Sequence, residues 1–138
     1  MKAITVAALG GALLLTTAPA ASSATSTFPW LQSSRITLTV RAETASGTTT
    51  ATRVLTCDPD GGTHPNPREA CDLLRKVDGN IGNLREPSVT FCPAVYEQHT
   101  VTAQGTWQGR REFYTVRTYS NRCRMLAATG VLFAFGNS

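Results

Sequence analysis

The segment Thr90-Phe91-Cys92-Pro93-Ala94-Val95-Tyr96 gathers the residue types best suited to chemistry at one place. That chemistry is binding. Cys92 can tether the segment covalently, while Pro93 fixes its own φ near about −65° and biases Cys92 towards extended backbone. Ala94, Val95 and Tyr96 then present a small, a β-branched and an aromatic side chain in succession, each able to enter a separate pocket of a partner. An extended segment that is stiff before docking loses little entropy when it adds to the edge of another protein's sheet. A plainer reading, a disulfide-anchored loop punctuated by Pro, accounts for the same residues, since loops commonly carry both.

Residues for catalysis are sparse. The sequence has no Gly-x-Ser-x-Gly, His-Glu-x-x-His, Cys-x-x-Cys or glycine-rich phosphate loop. Its histidines, His64 and His99, both fall on expected loops with no nucleophile beside them, and Glu97 near His99 reads as a solvated neighbour. Asp58 and Asp60 beside Gly61 and Gly62 have a faint look of a calcium loop, but the later ligand positions are missing and Pro59 intrudes. His64 has no second ligand at metal-binding spacing, so it reads as a turn residue bonded to backbone. We therefore expect no enzyme, no metal and no cofactor. A carbohydrate- or peptide-binding module would show a row of exposed aromatics, whereas the aromatics here alternate into strands.

The first residues are expected to be a signal peptide. Met1-Lys2 is a short basic start, Ala3 to Leu15 is apolar but too short to span a bilayer, and Ala18-Pro19-Ala20 offers a cleavage site. Ser22-Ser23-Ala24 is a second option, so the leader is 1–24 at most, with cleavage after 20 or 24, and the domain is 25–138. No Cys follows the cleavage region, which argues against a lipid anchor. Loss of Lys2 lowers the net charge from +4 to +3. Arg110-Arg111 is the one adjacent Arg pair, so no basic footprint for nucleic acid is present. The four cysteines all lie in the mature part, where an exported chain uses them as disulfides with three possible connectivities. Sequential pairing, Cys57–Cys71 and Cys92–Cys123, is the one we expect.

Several elements must position these residues. Arg35 to Arg41 alternates, with Ile36, Leu38 and Val40 on one face, and predicts a half-buried strand that pairs with another over Thr52 to Cys57. Asn66, Pro67 and Glu69 signal a helix start, Ala70, Leu73, Leu74 and Val77 form its apolar face, and Gly79 stops it. Ile81 and Leu84 read as a loose extra turn. Thr100 to Trp107 and Arg111 to Ser120 predict a second pair of strands around Gln108-Gly109-Arg110. A helical turn around Met125-Leu126 and a final strand over Val131 to Phe135 complete an α+β fold: a single five-stranded antiparallel sheet covered by one main helix and one short helix, with two disulfides.

Cys57, Pro59, Gly62, His64, Pro65, Ala70, Cys71, Asp72 and Leu74 satisfy every fixed position of the signature of the streptomycete subtilisin-inhibitor family, which the chain resembles. Cys92-Pro93-Ala94-Val95-Tyr96 is similar to that family's reactive stretch. Trp107-Gln108-Gly109, Ser120-Asn121-Arg122-Cys123 and Val131 to Phe135 resemble its later motifs. The resemblance implies a secreted, homodimeric inhibitor of subtilisin-like serine proteases with the sequential disulfides. It implies a protease-binding loop of Phe91, Cys92, Pro93, Ala94, Val95 and Tyr96, a scissile bond between Ala94 and Val95, and support of the loop from Asn121. Ala94 stands where members often carry Met or Lys, and Glu97-Gln98-His99 replaces the Asp-Pro-like residues that often follow the Tyr. An alternative, carried by the same likeness, is a binder of another secreted enzyme: a metalloprotease held at a different surface, or a transglutaminase acting on Gln104 or Gln108.

Overall fold

Alternation of apolar and polar residues builds the sheet. The computed structural model describes residues 32–86 and 91–135, with 10–12 and 18–22 of the leader. Most of the expected signal peptide, most of the N-terminal arm, Pro87 and Thr90 lie outside the described residues. Strand β1 (Ser34–Thr44) buries Ile36, Leu38, Val40 and Ala42 and turns Arg35, Thr37, Thr39 and Arg41 outward. It runs longer than the alternating stretch alone predicts because it is paired on both sides. β2 (Gly47–Cys57) returns after the turn at Ala45-Ser46, and β4 (His99–Trp107) lies on the other flank. β5 (Arg111–Tyr119) pairs with β4, and the two-residue β3 (Gly61–Gly62) pairs with β2, giving the antiparallel order β3-β2-β1-β4-β5.

One face of this sheet carries the core. Helix α1 (Pro67–Lys76) lays Ala70, Cys71 and Leu74 on it, and α2 (Arg122–Thr129) adds Met125. Helix α1 stops where Gly79, at φ +70°, donates its N–H back to Leu74 O at 2.9 Å. A short 3₁₀ turn (Ile81–Asn83) buries Ile81 beneath the sheet edge. Trp107 is buried at the end of β4, its indole N–H donated to Asp78 Oδ1 at 3.1 Å. Asp78 also meets Arg111, and these two donors, the indole first, hold its carboxyl below the ordinary carboxylate value.

Three expectations need correction. Val131 to Phe135 is not a strand: Gly130–Phe133 forms a 3₁₀ turn in which the adjacent residues Leu132 and Phe133 are both fully buried. A strand covered on one face cannot bury two neighbours, whereas a tight turn pushed into the core can. The fifth strand is instead β3, whose two glycines read in sequence as turn formers. Gly62 sits at φ +95°, and a Cβ there would overlap the Val54 carbonyl oxygen, so this edge pairing needs glycine. Second, the capping-box reading of Asn66 and Glu69 is not realised: the Asn66 side chain makes no cap bond, and its backbone N–H goes to His64 Nδ1 at 3.0 Å. Third, His99 is not on a loop. It opens β4 and is buried.

Candidate functional site

Ahead of β4, residues 91–98 have no regular structure and carry a group of exposed side chains. Phe91 is 96% exposed, Tyr96 73% and Val95 56%, with Pro93 and Ala94 also exposed. So much apolar surface in solvent marks an interaction site. The backbone beneath is held firmly. Cys92 and Cys123 form a disulfide, with a Cα–Cα distance of 5.7 Å. Asn121, only 7% exposed, donates from Nδ2 to Pro93 O at 3.1 Å and to Val95 O at 2.9 Å. The carbonyls on both sides of Ala94 are thereby drawn inward while its methyl stays in solvent.

The trailing side of the loop is tied just as closely. The Glu97 N–H bonds to Ser120 O at 2.8 Å, and Gln98 O accepts from the Glu43 N–H at 2.8 Å. His99 Nδ1 donates to Glu97 O at 2.6 Å, and the Tyr96 hydroxyl reaches Gln98 Oε1 at 3.0 Å. Asn121 is fixed in turn. It is the N-cap of α2, and its Oδ1 accepts from the Arg124 N–H at 2.9 Å, which leaves Nδ2 aimed at the loop.

The other candidates lie elsewhere. Asp58 and Asp60 face Arg75, which also meets Asp72, and this guanidinium holds Asp60 below the ordinary carboxylate value. Cys57 and Cys71 lie beside Asp60 in a group with the composition of a metal site, but both sulfurs are consumed in a disulfide. His64 is buried in the core, its Nε2 donating to Leu132 O at 3.1 Å and its ring meeting Phe135 edge-on. Gln104 is exposed on the outer face of β4, and Gln108 is half-buried in the β4–β5 turn; neither belongs to the loop.

Sequence reasoning missed Ser120, His99, Glu43 and Arg124 as supports. Ser120 and Glu43 act through backbone groups, which leave no mark on residue type. Arg124 fixes Asn121 through its backbone N–H, and its side chain pairs with Glu86, 38 positions away, which no local pattern reveals.

Comparison with known proteins gives a consistent picture. The family described as Subtilisin inhibitor-like matches residues 32–121. Subtilisin inhibitor-like protein 5 of Streptomyces fradiae is 43% identical over 97 residues, covering 69% of this chain and 90% of that protein. Subtilisin inhibitor-like protein 4 of Streptomyces lavendulae is 42% identical over 105 residues, covering 74% and 90%. Among solved structures, Streptomyces caespitosus sermetstatin in complex with Bacillus licheniformis subtilisin matches with a TM-score of 0.60 and 35% identity, covering 75% of this chain and 99% of that one. With the two sequential disulfides and the five-stranded sheet already in place, the chain belongs to the subtilisin inhibitor-like family.

Proposed function

We propose that the protein is a secreted inhibitor of subtilisin-like serine proteases that acts as a tethered substrate, with Ala94–Val95 as the scissile bond. The observation that carries this reading is the Asn121 amide reaching the carbonyls of Pro93 and Val95 beneath an exposed Ala94. The protease serine attacks the Ala94 carbonyl, the Ala94–Val95 bond breaks, and the proton passes to the Val95 amine. That amine cannot diffuse away. Cys92–Cys123 retains the acyl side two residues from the cut, and the Glu97–Ser120 and Gln98–Glu43 bonds retain the amine side. A tethered nucleophile can have an effective molarity of about 10⁵ M or more, so the amine re-forms the peptide before water can replace it. Packing of the partner over the exposed Phe91 and Tyr96 keeps that water out.

The basic-apolar-small pattern of residues 1–24 supports export. The outer face of the sheet supports a homodimer: among the described residues no helix covers it, and it carries Thr37, Thr39, Thr102, Tyr114 and Val116, the last two exposed. Light scattering at micromolar concentration should give twice the monomer mass.

Titrating a fixed amount of subtilisin with the protein should give a linear loss of activity to a sharp endpoint. Steady consumption of the protein without loss of protease activity would overturn the reading. Pull-down from culture medium tests the metalloprotease and transglutaminase alternatives, and recovery of serine proteases alone counts against both.

A further inference from the structure

Four of the five residues from Ser120 to Arg124, at the start of α2, hold the loop and the chain ahead of it in reverse order. Ser120 O holds Glu97, Asn121 holds Val95 and Pro93, Cys123 holds Cys92, and Arg124 Nη1 holds Glu86 Oε1 at 2.7 Å. Ascending along this bracket means descending along the loop, so Arg124 is its last rung on the leading side. We propose that Arg124 is a positioning residue for inhibition, acting through Glu86; this rests on the inhibitor reading above.

The leading flank becomes the acyl side after attack at Ala94, and its placement decides how well the Val95 amine meets the acyl carbon. On this side the disulfide fixes Cys92 and Asn121 fixes the Pro93 carbonyl, two adjacent points that leave the chain ahead of them free to swing. The Glu86–Arg124 pair adds a further point six residues ahead of Cys92. Arg124 also contributes through its backbone, since its N–H orients the Asn121 amide towards the loop. The two side chains of the pair are 44% and 32% exposed. An ion pair in that setting is modest in strength and sensitive to salt.

The test measures how fast cut protein accumulates in its complex with active subtilisin, relative to wild type at the same salt. Arg124→Ala and Glu86→Gln are each expected to be cut about two- to fivefold faster at low salt. The charge-swapped pair Glu86→Arg with Arg124→Glu should return most of the way to the wild-type rate. In about 1 M sodium chloride the excess of the single variants should vanish, because charges there are screened within about 3 Å. Asn121→Ala removes uncharged bonds, so it should keep its excess at high salt. Cutting of Arg124→Ala at the wild-type rate in low salt, or an excess that survives high salt unchanged, overturns the proposal. If wild type itself is consumed without inhibiting, the inhibitor reading fails first, and that outcome is seen in the control alone.

Discussion

The two disulfides share a Cα–Cα distance of 5.7 Å and sit in opposite surroundings. Cys57–Cys71 is fully buried and joins the end of β2 to α1 within the core. Cys92–Cys123 is half-buried and joins an irregular exposed loop to the first turn of α2. Chain entropy alone ranks the second as the stronger: separations of 14 and 31 residues correspond to about 3 and about 4 kcal/mol. Burial reverses that order. Removing the inner bridge leaves a cavity among packed side chains, whereas removing the outer one releases a segment the core does not need. One bridge serves the fold, and the other ties the exposed loop to α2.

The largest effects should come from breaking each bridge separately. Cys92→Ala with Cys123→Ala should turn the protein from inhibitor to substrate, with net cleavage by subtilisin rising by about a hundredfold or more as the effective molarity collapses. Its melting temperature should fall less than that of Cys57→Ala with Cys71→Ala, which should lose about 15 °C or more. Calorimetry and a subtilisin titration on both variants check this. Equal melting losses would mean that chain entropy, and not burial, decides the contribution of each bridge.

Next in size is a change of target that leaves the core alone. If Ala94 is the specificity residue proposed above, it leaves the buried carboxylate of trypsin's specificity pocket unpaired, at a cost of several kcal/mol. Ala94→Lys supplies the partner and should raise trypsin affinity by about a hundredfold or more, while subtilisin inhibition changes far less. Gln98→Lys, outside the contact register, should do almost nothing. Unaltered trypsin inhibition in an Ala94→Lys protein that still inhibits subtilisin would move the scissile bond elsewhere. Smaller again is Asn121→Ala. It removes three hydrogen bonds, to Pro93 O, Val95 O and the Arg124 N–H, each worth about 1 kcal/mol net. Cleavage by subtilisin should rise by about tenfold, and the melting temperature should fall by several degrees, mainly through the lost cap of α2.

The two regions were also unequally legible in the sequence. Around the inner bridge, hydrophobic period and helix signals located β1, β2 and α1 because burial on one face leaves a pattern in residue type. That signal failed at Val131 to Phe135, where a run of apolar residues is the same for a buried turn as for a strand. It failed again at Gly61–Gly62, where two glycines that pair along an edge look like any turn. Around the loop, Cys92 and Pro93 announced rigidity, but the supports were hidden. Ser120 and Glu43 hold it through backbone groups, and the Arg124 side chain pairs with a charge 38 residues away. Asn121 came into view only through the family resemblance, since an Asn beside a Cys is otherwise a plain turn residue.

The smallest expected effect belongs to acid and should fall on the inner region alone. Arg75 bonds Asp60 and also meets Asp58 and Asp72, so the turn after Cys57 is fastened to α1 by charge as well as by the bridge. The hydrogen bond from Arg75 is the main cause that lowers the Asp60 pKa, against a smaller opposing effect of burial. A carboxylate depressed in the folded state favours folding above its unfolded pKa, near about 3.9, and that contribution is lost as pH falls through the lower folded value. Stability should therefore decline below about pH 4, and Asp60→Asn should flatten that part of the decline while lowering stability at neutral pH. The partners are partly exposed, so the neutral-pH loss should be about 1 kcal/mol or less. Urea midpoints for wild type and Asp60→Asn at pH 7 and at pH 3 test the sign: the gap between them should be open at pH 7 and narrowed at pH 3. A gap that widens in acid would mean that Arg75 does not hold Asp60 in its charged form. Subtilisin titration of the same variant at pH 7 should match wild type, because Arg75 pairs with Asp58, Asp60 and Asp72 while Ser120, Asn121, Cys123 and Arg124 hold other partners; a weakened inhibitor would join the two regions that the disulfides separate.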